Sequence, residues 1–146
     1  LLEVICATID SLTPASIKLD PGPRIAQAFV RSSDAVAVAL VVNELLQNAV
    51  KHLPPGQQKT TIYVELTGDR ERALLLIRNP CNGRLPAGFD LEKGIGLGTG
   101  LTLARDLLPH QGAELTLTWE QGEVLTRLAL IPPVVSLEQV GLPPAE

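Results

Sequence analysis

Glu44, Asn48 and Lys51 stand at i, i+4 and i+7, a spacing that brings a carboxylate, an amide and an ammonium onto one face of a helix. The carboxylate can accept a proton, the amide oxygen can ligate a hard cation, and the ammonium can pair with a phosphate. Together they suit a metal-nucleotide, although the wet side of an ordinary amphipathic helix has the same pattern. His52, near the end of that helix, reads as a partner for the helix dipole and is assigned no chemistry.

A second group lies further along the chain, in Gly94-Ile95-Gly96-Leu97-Gly98-Thr99-Gly100-Leu101, with glycine at every second position directly before a helical pattern. Glycine lets backbone amides come close to a ligand, and a helix N-terminus adds its positive dipole end, so the segment can hold phosphate. No Gly-Lys-Ser/Thr follows, and Thr99 and Leu101 stand where the dinucleotide-fingerprint registers starting at Gly94 and Gly96 need their third glycine. A Walker loop and a Rossmann turn are therefore both disfavoured. A flexible linker or tight turn is the competing reading, weakened by the position of the loop between a strand and a helix. Arg84, Lys93 and Arg105 read as solvated surface.

The elements that must position these groups follow from periodicity. Leu1, Leu2, Ile5, Ile9 and Leu12 have helical spacing that ends before Pro14. Ser16 to Asp20 and Ile25 to Val30 read as two short strands around the Pro21-Gly22-Pro23 turn. Ser32-Ser33-Asp34 offers N-caps for a long helix carrying Val38, Val42, Leu45, Leu46, Ala49 and Leu53, stopped by Pro54-Pro55-Gly56. Thr60 to Thr67 and Arg72 to Ile77 read as a strand pair, and Asn79 to Gly98 as a loop. A helix from Thr99 to about His110 follows, then a hairpin of Ala113 to Trp119 and Val124 to Ile131 turning at Gln121-Gly122. The order predicts an α+β fold, a two-layer sandwich with a mixed, mostly antiparallel sheet and helices on one face. The domain is expected over 1–133, with 134–146 a proline-rich tail or linker.

Composition narrows the function. A chain of 146 residues with 45% hydrophobic and 19% charged residues matches one globular domain. A net charge of −4 supplies no broad field for nucleic acid or an acidic membrane, so no nucleic acid partner and no direct membrane contact are expected. No apolar run approaches the roughly 20 residues of a spanning helix, no secretory leader is evident, and a cytoplasmic location is favoured. Cys6 and Cys81 have no metal-ligand spacing and are expected as thiols. With no methionine and Leu1 at its start, the sequence is expected to be a piece of a longer protein.

The helix motif and the glycine motif, in that order and separated by a strand pair, resemble the catalytic domain of sensor histidine kinases, in the superfamily shared with gyrase, Hsp90 and MutL. Asn43-Glu44-Leu45-Leu46-Gln47-Asn48-Ala49-Val50-Lys51-His52 is similar to the N box, and Gly98-Thr99-Gly100-Leu101-Thr102-Leu103-Ala104 to the second glycine box. The resemblance spans nearly the whole chain. It implies the Bergerat-type fold, ATP and Mg2+ as ligands, Asn48 as the metal ligand, Glu44 as the polar or basic group near the transferred phosphate, and Lys51 as a phosphate contact. It also implies that Gly83, Gly96, Gly98, Thr99, Gly100 and Leu101 line the nucleotide pocket, and that Thr126 supports adenine recognition, a role that plain β-propensity rivals. In the first glycine box, Ile77-Arg78-Asn79-Pro80-Cys81-Asn82-Gly83, Asn79 stands where the family usually has an aspartate that accepts a hydrogen bond from adenine. Some histidine kinases carry an asparagine-proline version of that box. The lid lacks the usual phenylalanine-rich segment, keeping Phe89, and Thr102 stands where glycine is common.

The implied function is transfer of the γ-phosphate of Mg-ATP to a histidine in a separate dimerisation domain of the parent kinase, with a response regulator downstream. Neither His52 nor His110 has the helical context and following acid of a phosphoacceptor, so the isolated chain is not expected to phosphorylate itself. An anti-sigma-type serine kinase, a superfamily ATPase and a degenerate, non-catalytic module share the fold and remain alternatives.

Overall fold

The computed structural model describes residues 16–20, 27–53, 61–68, 71–80 and 88–138. The helix expected over Leu1 to Leu12 lies outside them, as do Gly83 and both cysteines. The elements are β1 (Ser16–Asp20), β2 (Gln27–Val30), α1 (Ala35–Lys51), β3 (Thr61–Gly68), β4 (Ala73–Pro80), α2 (Thr99–Leu107), β5 (Ala113–Glu120), β6 (Glu123–Leu130) and β7 (Val135–Glu138).

Five strands form one sheet in the order β1-β3-β4-β6-β5, with β1 parallel to β3 and the other neighbours antiparallel. Period-two alternation decides which face is covered. On β6, Val124, Thr126, Leu128 and Leu130 are buried while Glu123 and Arg127 are exposed. On β3, Ile62 and Val64 are buried and Tyr63 is exposed. The buried side chains meet Val38, Val41, Val42, Leu45, Leu46 and Ala49 of α1 and Leu101 and Ala104 of α2 in one core. The fold is thus the expected α+β arrangement of a mixed sheet with both described helices over one face.

The β5–β6 hairpin turns where the sequence predicts it. Gln121 and Gly122 have φ of 50° and 80°, the left-handed pair that a two-residue hairpin turn requires and that glycine tolerates without strain.

Three expectations are corrected. β1 and β2 are strands but do not pair around a common turn: β1 adds to β3, while β2 joins β7 in a separate two-stranded sheet. The stretch after Pro133 does not begin as a tail. Val134 and Val135 are 0% and 1% exposed, the amide of Arg31 donates to the Val134 carbonyl at 2.7 Å, and β7 follows. The local proline content hid an apolar Val-Val pair that the core buries. Asn79 belongs to β4 instead of the following loop, because its register continues opposite Val124.

α1 starts at Asp34 without the capping hydrogen bond that the residue type suggests. The Asp34 carboxylate instead accepts a hydrogen bond from Arg31 Nε at 2.7 Å, in an ion pair whose arginine is 48% exposed. With no cap to lose and a solvent-screened pair, Asp34→Ala is expected to cost no more than about 1 kcal/mol, as urea unfolding would show.

Candidate nucleotide site

α1 carries Glu44, Asn48 and Lys51 along the side of the helix away from the buried Leu45, Leu46 and Ala49. That side borders a cleft of about 380 Å3, within the size range of small-molecule pockets. Gly96, Gly98, Gly100 and Leu101 form the opposite wall, and Asn79 of β4, Leu117 of β5 and Val124 of β6 contribute from the sheet. The two motifs separated in sequence are therefore brought face to face. Lys51 also lies in the last turn of α1, where a cation suits the helix dipole.

The glycine wall opens α2. Gly98 is its N-cap, with φ −80° and ψ 176°, and no side chain caps the first turn. Its first amides thus retain hydrogen-bonding capacity and the positive dipole end, a combination that recognises anions. Gly100 lies close to Glu44: a Cβ there would stand 2.7 Å from Glu44 Oε2, so a side chain at this position would displace the end of the glutamate. The Glu44 carboxylate therefore lies beside the start of α2. A carboxylate is electrostatically favoured at that helix end, so Glu44 has a structural use independent of any reaction.

Asn79 is 3% exposed. Its Nδ2 donates to the carbonyls of Ala49 at 3.5 Å and Pro80 at 3.4 Å. With Nδ2 turned toward these backbone oxygens, Oδ1 is left as the acceptor, so a ligand reaching it must offer an N–H or O–H donor. Val124 is its cross-strand neighbour.

Residues 88–98 of the lid carry a turn of their own. Asp90 and Ile95 exchange backbone hydrogen bonds at 3.0 and 2.8 Å, and the amide of Lys93 donates to Asp90 Oδ1 at 2.9 Å. Phe89, Leu91 and Leu97 pack against the core, and Phe89 also lines the cleft. The span expected as plain loop therefore contains a small closed turn anchored by apolar side chains. Lys93 does not line the cleft, and Arg105 pairs with Asp106 at 3.4 Å beside a neighbouring groove. Thr102 turns its hydroxyl to the Gly98 carbonyl at 3.0 Å, inside the first turn of α2.

Of the residues singled out from sequence, Thr99 and Thr126 are not among those lining the cleft. Thr99 is exposed on the first turn of α2, and Thr126 is buried on β6 opposite Ile77. Gln47, Leu117 and Val124 line it without having been singled out, and so does His52, which was assigned no chemistry. Gln47 and His52 share the helical spacing of Glu44 and Asn48 and were within reach of that argument; Leu117 and Val124 depend on strand register.

Among the described residues no group of three or more His, Cys, Asp or Glu could hold a metal ion. The cleft still offers the oxygen donors of Asn48 and Glu44 near uncapped amides. That set fits Mg2+ shared with phosphate oxygens, which the ion prefers to an all-protein cage.

No protein-family model and no curated protein matches this chain. Solved structures do. The histidine kinase domain of the Erythrobacter litoralis EL346 blue-light activated histidine kinase superposes with a TM-score of 0.71 at 17% identity, over 89% of this chain. The chain has the fold of a histidine kinase catalytic domain. The catalytic domain of histidine kinase ThkA matches with a TM-score of 0.65 at 10% identity over 89% of this chain and 88% of its own. Acinetobacter baumannii histidine kinase AdeS matches at 0.63 and 11% over 90% of this chain and 63% of its own. This chain spans 58% of the Erythrobacter kinase-domain chain. At these identities the likeness is one of fold. No helix among the described residues is long and apolar enough to cross a membrane.

Proposed function

We propose that this histidine-kinase-like domain binds Mg-ATP in the cleft and presents the γ-phosphate to a histidine on a separate dimerisation domain of a parent kinase. The observation that carries the reading is the meeting of the Glu44-Asn48-Lys51 stripe with the uncapped start of α2 across a single cleft. Mg2+, when bound, would neutralise phosphate charge. Asn48 would ligate it through its amide oxygen, Lys51 would pair with a phosphate oxygen, and the first amides of α2 would hold the polyphosphate. Asn79 Oδ1 would accept a hydrogen bond from the exocyclic amine of adenine. Glu44 would take the proton of the attacking imidazole as the nitrogen–phosphorus bond forms and the bond to the β-phosphate oxygen breaks. In this reading the domain works in the cytosol, with a response regulator as the downstream acceptor.

Calorimetric titration of ATP and ADP, with and without Mg2+, tests the binding claim. Binding is expected to depend on Mg2+; none at millimolar ATP would sink the proposal in favour of a non-catalytic module. A second expectation concerns the acceptor. Incubated with labelled Mg-ATP, this chain alone should acquire no acid-labile phosphate, whereas phosphate appearing on His52 or His110 would show that the separate-acceptor assignment is wrong.

A further inference from the structure

Within the lid turn, Glu92, Lys93, Ile95 and Gly96 are exposed while Gly94 is half-buried. Arg105 of α2 lies against it: a Cβ at Gly94 would run into Nη1 of that guanidinium and stand 3.2 Å from its Cζ. Gly94 also has φ 73°, a left-handed backbone that glycine adopts without strain. A guanidinium is flat and less hydrated than an ammonium, which suits it to close packing on a bare stretch of backbone.

Two ordinary reasons for a cation here fall short. Arg105 stands in the last turn of α2, where any cation suits the dipole, but the dipole does not direct a side chain to the lid. Its ion pair with Asp106 is 3.4 Å long with side chains 36% and 59% exposed, too weak to fix the guanidinium. The groove outside the lid supplies a better reason. Asp90 and Glu92 of the lid and Asp106 of α2 line it together with Arg105. Without the arginine, α2 would present a carboxylate to the two of the lid, and like charges repel. On its other side the lid borders the cleft through Phe89 and Gly96.

We propose that Arg105 is a positioning residue for the lid: its guanidinium, laid on Gly94, holds the 90–95 turn to α2 and keeps the lid seated beside the glycine-rich start of that helix. That this seating governs the release of nucleotide rests on the proposed Mg-ATP site.

Hydrogen exchange at single amides of this chain, with no nucleotide present, tests the contact. In Arg105→Ala the amides of Asp90 and Ile95, which bond across the turn, should exchange about tenfold faster, while those of the β5–β6 ladder keep their wild-type rates. Faster exchange at Leu108 alone, whose amide bonds to Ala104 at the end of α2, would reduce Arg105 to a dipole partner. A uniform rise over the sheet would reduce it to general stability. Either result overturns the proposal. Gly94→Ala supplies a second arm, because its methyl would turn the guanidinium aside. It should speed exchange at Asp90 and Ile95 about fivefold more in the wild type than in Arg105→Ala, where no contact is left to lose. Equal effects in the two backgrounds would show that Gly94 and Arg105 do not act together. Displacement of a bound fluorescent ATP analogue by excess Mg-ATP then reads the cleft. Release from Arg105→Ala should be about tenfold faster, in step with lid opening. Unchanged release beside a loosened lid would overturn the role in nucleotide release. A wild-type chain that binds no nucleotide would end that role together with the Mg-ATP site, while the exchange rates would still decide the contact.

Discussion

Asn48→Ala is expected to lose about 100-fold in affinity for ATP when Mg2+ is present, and little when it is absent. The expectation rests on where the residue sits. Asn48 faces the cleft from the exposed side of α1, and the described residues offer few other oxygen donors there. Mg2+ bound through substrate phosphates takes only one or two ligands from protein, so removing one removes a large share of what the chain contributes. The fold should not suffer, because alanine in a helix interior is favoured over asparagine by up to about 0.7 kcal/mol. A calorimetric series with the wild type and this variant, each with and without Mg2+, separates the two effects. An affinity equally weakened in both conditions would assign Asn48 to direct phosphate or ribose contact, and an unchanged affinity would remove it from the site.

The electrostatics of the cleft give the proposed Mg2+ dependence a physical basis. Glu44 lies against the start of α2, and its carboxylate faces the place where the dipole and the amides would hold phosphate. Two anions cannot share that end of the helix without a cation between them. Lys51 lies seven residues further along α1, at the opposite end of the stripe. In the proposed reading Lys51 would meet one part of the polyphosphate, and the Glu44 end is where a divalent ion would be needed.

How much of this was legible depends on the range of the interaction that fixes each feature. The Glu44-Asn48-Lys51 stripe follows from helical periodicity, and the Gln121-Gly122 turn from the backbone freedom of its own residues. Both are local and could be read directly. The partners of β1 and β2 could not, because an extended segment shows which face it buries but not which strand it joins. The floor of the cleft failed for the same reason: Val124 enters it only because the β4–β6 register sets it opposite Asn79, and Leu117 only because β5 follows β6. Pro132 and Pro133 pointed to a tail, yet burial of Val134 and Val135 outweighed the local signal. Thr126 was singled out on likeness; it shares the covered face of β6 with Val124, two residues away, and does not itself line the cleft.

Asn79→Asp should destabilise the chain at neutral pH by about 2–4 kcal/mol, even though aspartate is the residue more common at this place in the proteins it resembles. Asn79 is nearly fully buried, and its Nδ2 faces the carbonyls of Ala49 and Pro80 at 3.5 and 3.4 Å. An ionised carboxylate has no proton to give, so one of its oxygens would face two carbonyl oxygens without solvent. Burial first, and those carbonyls second, would raise the folded-state pKa of the new carboxyl group above its unfolded value of about 3.9. A group with a raised folded pKa contributes its stability below the unfolded pKa and loses it as pH rises through the folded one. The deficit against wild type should therefore be small in mildly acidic buffer and grow toward pH 8, read by urea unfolding across that range. Nucleotide binding should follow the same course. The protonated acid can donate to the Ala49 carbonyl and leave its other oxygen for the adenine amine, as the amide does now; the ionised form cannot keep both bonds. A variant equally stable at both ends of the range, or one that binds ATP more tightly than wild type at pH 8, would show that the Asn79 amide does not depend on those two carbonyls and that aspartate fits here as it does elsewhere.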